Sequence, residues 1–204
     1  MTLRAKILAV YSGMIVCLIA VFYSATRFIL LASFTGIEED RVMRNMERVG
    51  SALAGEVEQL DFITRDWAWW DETCAYVAGR DEGFFRRNLN DVTLGALKID
   101  AIVFVDPAGR VVYGTGFDGG AGAKTPLPGE LARALVPGGP LTTHRDPRDR
   151  TAGIVALPSA PILIASRPIL TGEGRGPIRG SLVMVRSLDS RMIRSLAAMT
   201  HVSL

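Results

Sequence analysis

The sequence is poor in the residues that carry most metal and nucleophile chemistry. It has two histidines, His144 and His201, and two cysteines, Cys17 and Cys74, in 204 residues. No CxxC, HExxH or mixed Cys/His cluster is present, so the familiar metal spacings are excluded and no metal is expected. The cysteines lie in unlike surroundings, which argues against an intrachain disulfide. No GxGxxG, P-loop, GxSxG or kinase signature appears, and no cofactor is expected. DPAG at 106–109 reads only as a turn. An excess of one charge is also missing: 23 basic and 21 acidic residues leave a net charge of +2. They are interspersed apart from an Arg-rich stretch at 145–150, so no nucleic-acid partner is expected. Aromatic residues are scarce, yet all three tryptophans, Trp67, Trp69 and Trp70, fall inside one stretch, DWAWWDETCAYV.

Hydrophobic residues make up 49% of the chain, and the excess is local. Ile7 to Thr26 holds 20 residues without a charge. As a helix this run spans about 30 Å, the thickness of a bilayer core. Arg4 and Lys6 precede it, which places the N-terminus in the cytoplasm by the positive-inside rule. Residues 1–6 are therefore read as a cytoplasmic start and 7–34 as a transmembrane helix. Residues 37–204 are read as an extracytoplasmic domain. A cleaved signal peptide fits less well, because Phe22 and Tyr23 stand where small residues belong. The partner implied is the inner, cytoplasmic membrane.

From Gly36 the pattern changes. Val42, Met46, Val49, Leu53, Val57, Leu60, Ile63 and Trp67 recur at gaps of three and four, with no proline between them. That spacing predicts a long juxtamembrane helix. Its seam can pack on its own domain or on a second copy, and a homodimer through the membrane-proximal half is expected. If the helix runs on through 66–77, Ile63, Trp67, Trp70, Asp71 and Cys74 share one face. Asp71 would then need an arginine, backbone N–H groups or a ligand amine as partner. The tryptophans either wall a pocket for a cationic ligand or fill the core while Asp71 fixes a loop; both readings stay open here.

Beyond 79, short helical turns precede strands at 101–105, 111–114, 151–158, 161–170 and 180–188. Residues 114–129 read as a flexible loop and 130–136 as a short helix. Asp189 caps a closing helix. The final VSL, 202–204, reads as the start of a strand, so a longer polypeptide is expected. The fold class implied is α+β, with an antiparallel sheet of about five strands behind the two N-terminal helical segments.

The stretches DWAWWDETCAYVAG, FFRRNLN, LKIDAIVFVDPAGRVVYGTGFD and GSLVMVRSLD, in this order and spacing, resemble a CHASE4 domain over roughly 45–204. The resemblance implies an extracytoplasmic sensory module of a bacterial or archaeal membrane receptor with a Cache/PAS-like sheet. In the family such a module lies between two transmembrane helices and feeds a histidine kinase (a two-component system) or a diguanylate cyclase or phosphodiesterase (cyclic di-GMP signalling). Cys74 stands where the family more often has an aromatic residue. On this reading Trp67, Trp70 and Asp71 lie at a ligand pocket or its hinge, with Tyr76, Asn88 and Tyr113 as further candidates for an unknown small molecule. The chain itself is not expected to be an enzyme. The competing reading is a membrane-anchored dimerisation protein with no small ligand.

Overall fold

The computed structural model describes residues 3–79 and 83–200. The chain divides into two units, Met1–Arg48 and Val49–Leu204. The long helix α1 is continuous over Leu3–Ala68, so the two N-terminal helical segments expected from the sequence are one element. Within its first unit Val10–Arg27 is long and apolar enough to cross a membrane, and none of it is buried. Met46 is 66% exposed, while the side chain of Val42 lies outside the described residues.

In the second unit the seam behaves as its spacing predicts. Leu60 is fully buried, and Leu53, Val57, Ile63 and Trp67 pack around it on the core. Three short helices follow: α2 (Asp71–Gly79), α3 (Gly83–Asn88) and α4 (Asp91–Leu97). Asn90 starts α4 by accepting the backbone N–H of Thr93, which satisfies one of the free donors of a first turn. Strands β1 (Ala101–Val105) and β2 (Val111–Asp118) form the expected hairpin. At its turn Asp106 accepts the N–H groups of Ala108 and Arg110.

Among the described residues the sheet has six strands rather than about five. The addition is β3 (Ala123–Thr125), three exposed residues paired with β2 inside the stretch read as a loop. Helix α5 (Gly129–Ala134) then leads to β4 (Thr151–Ala156), β5 (Pro161–Pro168), β6 (Ser181–Ser187) and the closing helix α6 (Ser190–Thr200). Every pairing is antiparallel, in the order β3-β2-β1-β6-β5-β4. Asp189 accepts from the N–H groups of Arg191 and Met192, as a cap should. Residues 202–204, read as a strand start, lie outside the described residues.

Both faces of the central strands are covered. Ile102, Phe104, Leu163, Ala165, Leu182 and Met184 meet the seam of α1 on one face. Val103, Val105, Ile162, Ile164, Val183 and Val185 meet Leu131, Leu135 and Leu141 on the other. This alternation follows from the two-residue period of a strand. It also explains why β1, β5 and β6 read as nearly continuous apolar runs.

Candidate functional site

The expected single helix through 66–77 is interrupted. α1 ends at Ala68 and α2 begins at Asp71, with Trp69 and Trp70 at the corner. The break is made by tertiary bonds rather than by a proline or glycine. The carbonyl of Ala68 accepts the N–H of Leu170 at 3.1 Å. The carboxylate of Asp71 accepts the N–H of Gly172 at 2.8 Å. The first bond gives a helix-end carbonyl its partner, and the second ties the start of α2 to the same loop. Trp69 packs on Gly174 of the same segment, where a Cβ would stand 2.9 Å from the indole. Of the partners expected for Asp71, the structure therefore shows a backbone N–H in a loop.

The other candidates fall into place around this corner. Trp67 and Trp70 meet edge to face at 5.4 Å. Tyr76 is buried and stacks on Phe84 at 5.1 Å, and Tyr113 stacks on Phe85 at 3.6 Å. These rings and Phe104 form one aromatic cluster. Burial raises the Tyr113 pKa above its ordinary value. Asn88 donates to Glu72 at 2.6 Å, tying α3 to α2. Cys74 is half-buried and free.

Sequence reasoning missed the ionic contacts that hold α1 on the sheet. Asp61 is 3% exposed and Arg167 of β5 is 8% exposed. Arg167 grips Asp61 with two parallel bonds, Nε to Oδ1 at 2.6 Å and Nη2 to Oδ2. Arg186 of β6, 7% exposed, donates Nη1 to Glu56 at 2.6 Å and Nε to the carbonyl of Lys98 at 2.8 Å. Arg150, just before β4, bonds Glu58 at 2.6 Å and approaches Asp61 at 3.6 Å. Three acids within about one and a half turns of α1 thus face three arginines from β5, β6 and the start of β4. A signal was present: Arg167 and Arg186 stand inside apolar strands, on the faces of Leu163 and Met184 that meet α1. A charge at such a position needs a partner. An open cleft of about 400 Å³ lies beside the second pair, lined by Glu56, Gln59, Lys98, Asp100, Phe117 and Arg186 among others.

The segment carrying Arg150 is itself fastened to β5. Ser166 donates its hydroxyl to the carbonyl of Leu141 at 2.8 Å, so it accepts from Nε2 of His144 at 3.0 Å. That hydroxyl is fully buried and its proton is engaged, so this Ser–His pair is a fastening and not a nucleophile. Burial lowers the His144 pKa; nearby Asp149 opposes the shift and Arg167 adds to it. The fold therefore favours neutral imidazole. Its stabilisation is complete above the unfolded value of about 6.5 and declines as pH falls through the lower folded value. Acidification from about pH 7.5 to 5.5 should lower the melting temperature of the wild type more than that of His144→Gln, which titrates nothing here. Equal slopes in a thermal-unfolding series would refute this.

The CHASE4 domain family model matches residues 52–204. Among curated proteins the chain is similar to the methanogenesis regulatory histidine kinase FilI of Methanothrix harundinacea (strain 6Ac), at 30% identity over 204 residues. The match takes in 100% of this chain and 23% of that protein, so the chain spans less than a quarter of the relative's length. Two solved structures share the fold at 14% identity, each covering 80% of this chain. One is a domain of a protein from Vibrio parahaemolyticus classed in the sensory box/GGDEF family, with a TM-score of 0.54 over 63% of that chain. The other is the extracellular domain of a protein classed as a histidine kinase, with a TM-score of 0.53 over 60% of that chain.

Proposed function

The chain belongs to the CHASE4 domain family, and from that premise we propose that it is the membrane-anchored sensory part of a signalling receptor. Residues 1–6 are cytoplasmic, the apolar start of α1 crosses the inner membrane, and residues beyond about 35 face outward. The receptor's output is of the histidine kinase or diguanylate cyclase type. Two copies pair along the membrane-proximal part of α1, where Met43 and Met46 are exposed.

The signal is a displacement of α1 on the sheet. What supports this is the ionic clamp of Asp61–Arg167 and Glu56–Arg186. A stimulus can shift a receptor only by favouring one of two arrangements over the other. The buried pair Asp61–Arg167 makes arrangements discrete, because a carboxylate moved by part of a turn leaves its arginine unpaired in a dry interior. Arg150 already spans two α1 carboxylates, Glu58 and Asp61.

The test joins this chain in frame to the second transmembrane helix and kinase portion of a CHASE4 histidine kinase and follows autophosphorylation in membrane vesicles. Glu56→Gln keeps the side-chain shape and leaves Arg186 on the carbonyl of Lys98, so the domain stays folded while the pull on α1 weakens. Basal phosphorylation should change by about fivefold, the low end of coupling energies between sites. An unchanged rate in a folded variant would remove the clamp from the signalling path.

A further inference from the structure

The corner at the end of α1 carries more than a fastening. Trp67, Trp69 and Trp70 line an open cleft of about 440 Å³, and the fourth residue lining it is Asp66. Packing accounts for two of the indoles: Trp67 and Trp69 both sit against the core. Trp70 touches Trp67 and Phe84 on one side yet stays 38% exposed, although burying an indole is among the larger gains open to a folding chain.

Asp66 is equally unaccounted for. Its neighbour Asp71 is held by the N–H of Gly172. Among the described residues, no hydrogen bond or ion pair reaches the Asp66 carboxylate. It also lies in the last turn of α1, the negative end of the helix dipole, where an acid is unfavourable without a compensating cation. Arg65, the basic residue of that turn, does not supply it. Its guanidinium lies 4.9 Å from the Phe62 ring centroid and 5.6 Å from that of Trp69. The second contact places a cation with little hydration on one of the cleft's own rings, Trp69.

We propose that this cleft binds a small organic cation, an alkylated ammonium, with the three indoles as walls and the Asp66 carboxylate as counter-charge. Indole faces attract a positive charge through their quadrupole, and alkyl groups on the nitrogen bury against them. A bare metal ion would lose its water on such walls and gain one carboxylate, so the site selects against it. As the receptor's stimulus, the cation rests on the sensory reading above; as a ligand of this cleft it does not.

The experiment uses the full chain in detergent and tetramethylammonium chloride as probe, against sodium chloride at equal ionic strength. Because the chain's three tryptophans all line the cleft, intrinsic fluorescence reads the site directly. A saturable change is expected, and Asp66→Asn should weaken it by about twofold to fivefold, the loss of an exposed ion pair while the indoles stay in place. Asp66 is exposed and unpaired at the negative end of α1, so the variant stays folded with a melting temperature no lower than that of the wild type. No saturation, equal affinity in Asp66→Asn, or an equal response to neutral tert-butanol would each overturn the site. Asp66-dependent binding that leaves the kinase fusion unaffected would uphold the site and overturn its role as stimulus.

Discussion

Asp61→Ala is expected to destabilise the Val49–Leu204 unit by about 3–5 kcal/mol, the cost of leaving a buried charge without its partner. The stranded group is Arg167, whose side chain is 10% exposed and lies between α1 and β5. Arg167→Ala should cost less, because Asp61 keeps the approach of Arg150 at 3.6 Å. The double replacement Asp61→Leu with Arg167→Met removes both charges and fills the space, and should recover most of the loss. Glu58→Ala serves as the contrast. Its side chain is 62% exposed and that of its partner Arg150 is 44% exposed, so the change should cost no more than about 1 kcal/mol. Denaturant unfolding of the four variants decides the matter. If Asp61→Ala costs no more than Glu58→Ala, the pair is not a clamp and the signalling argument loses its anchor.

This clamp was hardly visible in the sequence, for a physical reason. Asp61 and Arg167 are 106 residues apart, and no local pattern joins them. What a sequence shows well is periodicity that burial imposes. The seam from Leu53 to Trp67 and the runs AIVFV and SLVMV were legible because neighbouring layers bury them. β3 was not, since its three residues are exposed and become a strand only because β2 lies alongside. The break at Trp69 and Trp70 escaped for a similar reason. The seam continues through it on paper, and the bonds from Leu170 and Gly172 that end the helix come from about 100 residues away. The family resemblance carried further than the local patterns, because it rests on several stretches in order. It still left open whether Asp71 meets a loop or a ligand, a question of a single hydrogen bond.

Gly180→Ala is expected to prevent stable folding. Gly180 closes the segment that begins with Leu170 and Gly172 at the α1 corner, and it feeds directly into β6. Its φ is +137°, and a Cβ there would lie 1.9 Å from the carbonyl oxygen of Val105. The obstacle cannot swing aside, for it is the backbone of β1 at its last pairing with β6, Val105 opposite Ser181. Relief requires opening the central pair of the sheet, and both strands are buried on both faces. The loss should exceed about 4 kcal/mol, the range kept for a few severe mechanisms, against a total stability of about 5–15 kcal/mol for an ordinary domain. Gly122→Ala separates conformation from contact: φ is +64° there, and a Cβ would meet nothing within 4 Å. It should cost only about 1–2 kcal/mol, the steric penalty of a left-handed residue. Soluble yield and melting temperature distinguish the two. Similar values for both would mean that β1 and β6 can part at this point without loss. The segment from 170 to 180 could then not hold the end of α1 in a fixed register on the sheet, and displacement of that helix would meet no discrete barrier there.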